Sequence, residues 1–363
     1  MSEEPTPGAG GRPIRIAVDA MGGDHAPAAI VEGAAAAAAA FGIDVILTGP
    51  AGVLRPLLSA QGLPAARDGS RPGQVRIVSS EDSLAMDEGA LASLRRPRSS
   101  AAIACQLVRR GQAQAVVSAG STGGTVATAR LRLRSLPGVM RPGLAVVLPT
   151  RPTPTLLVDA GAIADPKPEM LVAFAQLGVA YAQVGHGITE PKVGLLTIGT
   201  EPGKGNRLAR RAHELLAQAP PHGARPIRFI GNVEGGDLLT RKADVIVTDG
   251  FTGNVALKVL EGTAAFAAAQ TRAALTDSAP ARFGVLFQRR GLRELAGRMD
   301  AETYGGAALL GLEGTVVIAH GAATAKGVTS ACRLATDLVR GQITEKIKER
   351  FGPGRGSHFL RRS

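Results

Sequence analysis

Apolar residues fall along this chain in short continuous runs, and the stretches between them are mostly long enough for a helix. Ten runs read as strands: Ile14–Val18, Val45–Thr48, Val75–Val78, Ala115–Val117, Ala145–Leu148, Thr155–Val158, Val193–Ile198, Ile227–Ile230, Val245–Val247 and Val316–Ala319. Ala/Leu-rich segments alternate with them, which predicts βαβ units and a mainly parallel α/β sheet. Ala34–Ala40 is a run of seven alanines, a strong helix former with a stop at Gly42. The rhythm breaks from about Thr263 to Asp300, where the pattern predicts a protruding helical hairpin with its tip near Thr276–Gly291. Asp277-Ser278-Ala279-Pro280 reads as the turn before its second helix. That helix carries Phe283, Leu286, Phe287, Arg289 and Arg290. Such a basic-aromatic face suits either a dimer partner or an anionic membrane surface.

Composition agrees with a large α/β protein. The chain has 363 residues and 45% hydrophobic content, ample for a sizeable core. Aromatics make up only 3% and Trp is absent, so the core is built from Ala, Val, Leu and Ile. One domain over 13–350 is expected, between a disordered tail at 1–12 and a basic tail at 351–363. Cys105 and Cys332 lie far apart in helix-like surroundings without a secretory signal, which predicts free thiols and a cytoplasmic setting. No apolar run reaches the length of a membrane span. The net charge of +12 admits nucleic acid, an anionic membrane or an acidic protein as partner. With no zinc-ligand spacing and no aromatic-basic RNA motif, the case for nucleic acid is weak.

The chemistry collects at strand ends. Asp19-Ala20-Met21-Gly22-Gly23-Asp24-His25 follows the first strand, and a glycine pair there lets backbone approach a ligand closely. A tight turn with solvated side chains is the plain alternative. Ser118-Ala119-Gly120-Ser121-Thr122-Gly123-Gly124 reads as a nest of N–H groups opening a helix. Asp159–Pro168, with Lys167, follows another strand, as does Gly199–Asn206, with Lys204. Gly231–Asp237, with Asn232, and Asp249–Asn254, with Thr252, complete the series, and Lys258 lies one turn further on. Asp19, Asp159 and Asp249 also suit the role of helix caps. Neither a P-loop nor a G-x-G-x-x-G fingerprint is present. Together the stretches are expected to converge at one sheet edge and hold an anion beside a group that develops negative charge.

These residues resemble a family. Val18–Pro27 is similar to the N-terminal signature of the bacterial acyl-ACP:phosphate acyltransferases of phospholipid synthesis. The likeness continues through Ser118–Gly123, Asp159–Pro168, Gly194–Asn206, Gly231–Asp237, Asp249–Lys258, Tyr304–Gly311 and His320-Gly321. Ser121, Ile163 and Thr197 stand where the family usually has Asn, and Gly236 where it has Arg. The resemblance implies a three-layer α/β/α fold of the phosphotransacetylase and isocitrate dehydrogenase kind, a homodimer, and no cofactor or metal. The implied reaction moves a long-chain acyl group from acyl carrier protein to inorganic phosphate. A membrane acyltransferase acting on glycerol 3-phosphate then consumes the acyl phosphate, which implies peripheral attachment to the membrane. Lys167, Lys204 and the Ser118–Gly123 loop are expected to hold phosphate. His25 or His320 assists at the thioester, while Asp19, Asp159 and Asp249 orient donors. Arg95, Arg96 and Arg98 are candidates for steering the acidic carrier. Rival readings on a similar fold are a short-chain phosphotransacetylase using CoA and a metal-dependent hydroxyacid dehydrogenase. A non-catalytic anion- or nucleic-acid-binding protein is the rival from another class.

Overall fold

The computed structural model describes residues 13–62, 73–86, 88, 93, 95–218, 224–277, 285, 287–292, 297 and 301–352. The expected N-terminal tail, residues 353–363 of the expected C-terminal one, Phe283 and Leu286 lie outside the described residues, while Phe351 still belongs to the last helix. In the first part of the chain come β1 (Arg15–Asp19), α1 (Ala28–Phe41), β2 (Asp44–Gly49), α2 (Ala51–Ala60), β3 (Val75–Ser79), α3 (Ser100–Arg109), β4 (Ala115–Ser118) and α4 (Thr122–Arg132). The middle holds β5 (Gly143–Leu148), β6 (Thr155–Val158), α5 (Pro168–His186), β7 (Lys192–Leu196), α6 (Arg207–Ala217), β8 (Arg228–Val233), β9 (Val245–Val247) and α7 (Gly250–Thr276). The last part holds β10 (Ala307–Leu310), β11 (Thr315–Ile318), α8 (Ala325–Arg340) and α9 (Ile343–Phe351).

All ten expected strands form. β10 is a further one that periodicity missed, because four residues between Gly306 and Gly311, both at positive φ, give no run long enough to read. β7 stops at Leu196, two residues before the expected end, and Ile198 is left 82% exposed. The strands make one sheet of eleven in the order β3-β2-β1-β4-β11-β10-β5-β6-β9-β7-β8. Side chains alternate between its faces as the pleat requires. Ile16 and Val18 point to the layer of α1, α2, α5, α6, α8 and α9, and Ala17 to the layer of α3 and α4. The fold is therefore the expected three-layer α/β/α sandwich, mainly parallel.

Register shows what the pattern could not. β10 is antiparallel to β11 and to β5, and β5 is antiparallel to β6. β1, β4 and β11 end together, because Asp19 pairs with Ser118 and Ser118 with Ile318. Ala307, at the start of β10, faces Ile318, and Thr155, at the start of β6, faces Leu148 at the end of β5. β6, β9 and β7 consequently end at the opposite edge, where Val158 meets Val247 and Val247 meets Leu195. The parallel sheet is thus two half-sheets of opposed direction.

The long helical region begins at Gly250 rather than near Thr263, so α7 runs 27 residues without a break. At 1.5 Å per residue that is about 40 Å, long enough to leave the sheet behind. Only Gly250 and Gly253 on it are buried. Both are glycines for a steric reason: a Cβ on Gly253 would overlap the Asp159 carbonyl oxygen, and one on Gly250 would lie 2.6 Å from the Ile163 carbonyl oxygen. Gly253→Ala must push α7 off the Asp159 loop. An overpacking cost of about 1–3 kcal/mol is expected, read as a lowered thermal midpoint.

Candidate functional site

At the first edge, strand endings place two loops against each other. A Cβ on Gly22 would sit 2.7 Å from Asp19 Oδ2 and 2.7 Å from the Gly120 nitrogen, so the two backbones approach only because Gly22 has no side chain. Asp19 is 3% exposed. The Ser118 hydroxyl donates to Asp19 Oδ2 at 2.7 Å, and Gly120 N–H donates to Ser118 Oγ at 3.1 Å. Burial raises the Asp19 pKa above the usual carboxylate value, against the opposing hydrogen bonds from Ser100, Ser118, Met21 and Gly22. Ser100, at the start of α3, is a contributor that no sequence signal singled out.

Ser121 does not face a ligand. Its Oγ accepts from Gly124 N–H at 3.3 Å and donates to the Glu88 carbonyl at 3.2 Å, so it is the N-cap of α4. Ser and Asn cap helices about equally well, which explains how Ser stands here in place of the family's usual Asn. Thr122 and Gly123 begin the helix and are exposed. A Cβ on Gly123 would meet no heavy atom within 4 Å. The cap takes the Gly124 N–H, which leaves those of Thr122 and Gly123 as the uncapped donors of the first turn, a kind of donor that favours an anion.

Asp24, His25 and His320 are exposed at the same edge. Asp24 N–H donates to the Gly321 carbonyl at 2.8 Å, joining the β1 and β11 loops. His320 Nδ1 accepts from the Ala322 N–H at 3.2 Å. The neutral ring consequently carries its proton on Nε2, as an outward hydrogen-bond donor. Arg96 is bound by Asp82 and Glu88, and Arg98 by Glu81 at 2.7 Å. Those two arginines already have acidic partners, which corrects the expectation that they steer a carrier; Arg95 is exposed.

The second edge is built differently. Asp159 is fully buried, and its carboxylate accepts four backbone N–H groups: Leu144, Gly161 and Ala162 on Oδ1 and Ile163 on Oδ2. Burial outweighs these bonds and raises its pKa. Oδ1 takes three of these donors and Oδ2 one, so the donors that Asp159 orients are main-chain N–H groups of its own loop and of β5. Ile163 contributes through its backbone, so an Asn side chain is not needed there. Asp249 caps α7, accepting from Thr252 N–H and Thr252 Oγ1, both at 2.8 Å. Asn254 packs against Gly161. Lys167 precedes α5 and is exposed, as is Lys204. Asn206 caps α6 by accepting from Ala209 N–H, and buried Asn232 donates to the Glu201 carbonyl at 2.7 Å while its Oδ1 meets His213 Nδ1 at 2.8 Å.

The expected convergence on one sheet edge is therefore corrected. Asp19, Gly22, Gly23, Asp24, His25, Ser118–Gly123 and His320 share the first edge. Asp159, Lys167, Lys204, Asn206, Asn232, Asp249, Thr252 and Asn254 share the other. Five strand spacings of about 4.8 Å separate β1 from β6. Runs of apolar residues locate strands but not their direction, so this division was not legible. Among the described residues, no three His, Cys, Asp or Glu side chains are grouped as metal ligands would be. Both cysteines are buried, and burial pushes each thiol up to about 12, too high for a nucleophile at neutral pH.

A family model described as "Fatty acid synthesis protein" matches residues 14–346. The phosphate acyltransferase of Thermobifida fusca is 62% identical over 336 residues, covering 93% of this chain and 91% of that protein. The phosphate acyltransferase of Gloeobacter violaceus is 40% identical over 340 residues, covering 93% and 97%. Among solved structures, a phosphotransacetylase from Streptococcus pyogenes superposes with a TM-score of 0.59 at 17% identity, covering 92% of this chain and 95% of that one. The EutD phosphotransacetylase of Staphylococcus aureus gives 0.57 at 17%, covering 90% and 94%. The structural likeness speaks for the fold.

Two expectations follow from the buried carboxylates. Asp159→Ala leaves four N–H groups without an acceptor, each costing about 1–3 kcal/mol. It should fail to fold, while Asp159→Asn, which keeps one carbonyl oxygen, should fold with a lowered melting midpoint by circular dichroism. For Asp19 the folded pKa is raised, so its contribution to stability is full below the unfolded value of about 3.9 and is lost as pH rises through the folded one. In urea titrations across pH, wild type minus Asp19→Asn should therefore be greatest at acid pH and decline toward neutrality.

Proposed function

This chain belongs to the phosphate acyltransferase family and moves an acyl group onto phosphate in fatty acid and phospholipid synthesis; we propose that its donor is a long-chain thioester of acyl carrier protein and that the reaction takes place at the first edge. The observation that carries this reading is the start of α4, where Thr122 and Gly123 are exposed and a Gly123 Cβ would meet nothing, at the same edge as the Asp19–Ser118 pair and the two exposed histidines. Phosphate is already anionic at neutral pH, so it needs position more than deprotonation. Asp19 orients Ser118, Ser118 orients the Gly120 backbone, and the α4 start receives the anion.

A phosphate oxygen attacks the thioester carbonyl, and the tetrahedral intermediate carries negative charge on its oxygen. His320, donating from Nε2, is suited to stabilise that oxyanion, with His25 as the alternative at the same edge. The thiolate then leaves with little help, as thiols are fair acids. The buried thiols of Cys105 and Cys332 support direct transfer without an acyl-cysteine intermediate. The acyl phosphate passes to a membrane acyltransferase that esterifies glycerol 3-phosphate. Among the described residues no helix is long and apolar enough to cross a membrane. Peripheral attachment of a cytoplasmic homodimer through the region after α7 is supported by Phe287, which is 79% exposed.

Mixing the protein with a long-chain acyl carrier thioester and inorganic phosphate should release carrier thiol and form acyl phosphate in equal amounts. Turnover of acetyl-CoA with none of the carrier substrate would instead place the chain with the short-chain phosphotransacetylases.

A further inference from the structure

The Arg96 guanidinium gathers one turn of the chain around itself. Nη1 donates to Asp82 Oδ1 at 3.0 Å and to the Ser83 carbonyl at 2.7 Å, and Nη2 donates to Glu88 Oε1. The other Glu88 oxygen accepts from Ala85 N–H at 2.9 Å, and Asp82 Oδ1 also accepts from Ser83 N–H at 2.8 Å. A planar fork with several donors can hold two carboxylates and a carbonyl at once, which the single ammonium of lysine cannot. The turn is tied down at both ends as well. Ser100 N–H donates to the Asp82 carbonyl at 2.9 Å, and Ser121 Oγ donates to the Glu88 carbonyl at 3.2 Å. These anchors are the first residue of α3 and the cap of α4, so the turn lies across the first edge.

It carries two large apolar side chains to that edge, Leu84 and Met86, both half-buried. A Cβ on Gly124 would lie 3.9 Å from Leu84 Cδ1, which puts Leu84 over the first turn of α4. A Cβ on Gly321 would lie 2.8 Å from the Met86 methyl carbon and 3.7 Å from Asp24 Oδ2. Met86 therefore rests on the residue after His320, and it does so because Gly321 has no side chain. Phosphate has no use for an apolar neighbour. The acyl chain does: it is the apolar part of the substrates, and its first carbons stay within a few bonds of the carbonyl that phosphate attacks. Methionine suits such a chain, since an unbranched, polarisable thioether adapts to a flexible partner.

We propose that Met86 packs against the first carbons of the acyl chain, in both directions of the reaction, and that Arg96 is the positioning residue that holds it there. This rests on the reading above that acyl transfer takes place at the first edge.

The reverse reaction isolates the chain, because acyl phosphate carries the acyl group and no carrier. Long-chain acyl phosphate and free carrier thiol are supplied to the full-length protein, and thioester formation is followed. Met86→Gln keeps the length of the side chain and makes its end polar. It should raise the KM for acyl phosphate about tenfold, the size of a lost contact in an apolar pocket. The kcat, the KM for free carrier and the melting midpoint should move little, since a contact made equally in ground and transition states acts on KM. Met86→Leu, with an apolar end, should recover most of the affinity. Arg96→Ala should raise the same KM by a similar factor and add nothing further in a Met86→Gln background, because both act through one contact. An unchanged KM for acyl phosphate in Met86→Gln would overturn the proposal. So would a rise confined to the carrier thioester in the forward direction, which would put Met86 against the carrier's arm instead of the chain. A fall in kcat or melting midpoint without a change in KM would make the residue structural and overturn it too. Additive effects of the two substitutions would remove Arg96 from the positioning role. Should Arg96→Ala fold poorly, Arg96→Lys, which keeps the charge and loses the fork, repeats the pair. The wild-type forward reaction is the separate control: no phosphate-dependent thiol release there would defeat the functional reading itself.

Discussion

Strand β10 runs against both β11 and β5, which leaves those two pointing the same way, and the antiparallel step from β5 to β6 then turns the second half of the sheet round. Four residues, Ala307–Leu310, pair with β11 on one side and β5 on the other. Had β10, β5 and β6 been parallel to β11, every strand-end loop would open on one side. The antiparallel centre sends Asp19 and Ser118 one way and Asp159 and Val247 the other. The glycines beside it serve this arrangement: a Cβ on Gly306 would overlap the backbone at Ile318, and one on Gly305 would lie 2.6 Å from the Ser330 carbonyl oxygen. The strand is short because its flanks are tight turns, and it is central because its residues are apolar and small enough for layers on both faces.

Two buried aspartates show how surroundings decide what one residue type does. Asp19 accepts hydroxyl and backbone donors that belong to the candidate site, so its charge and geometry are transmitted to Ser118 and Gly120. Asp159 accepts four N–H groups from one loop and one neighbouring strand, and α7 closes over it through Gly250 and Gly253. Sequence alone presents them alike, as an acid followed by small residues after an apolar run.

Much of the fold was legible because buried parallel strands leave continuous apolar runs and their helices leave Ala- and Leu-rich ones. The glycines at 22 and 120 were legible as places of close approach, and contacts of 2.7 Å confirm why Gly22 must be small. Three things were not. Strand direction leaves no mark on composition, so the division of the site between edges was hidden. Ser121 reads as a ligand group until its hydroxyl is found on a helix N–H, whereas the cap role that strand-end position suggests for Asp249 is the one it takes. Arg96 read as free charge because its partners Asp82 and Glu88 reach it only through tertiary structure.

The start of α4 has one more consequence. What it offers an anion is main chain: every residue type but proline supplies the same N–H group, and the side chain at Gly123 is simply missing. Selection on such a surface acts on emptiness rather than on chemistry. Neighbouring positions are free to drift, as Ser at 121 shows, provided nothing grows into the space. The lasting signature of this site across its lineage would be a set of small residues surrounded by variable ones, an outline kept by what is left out.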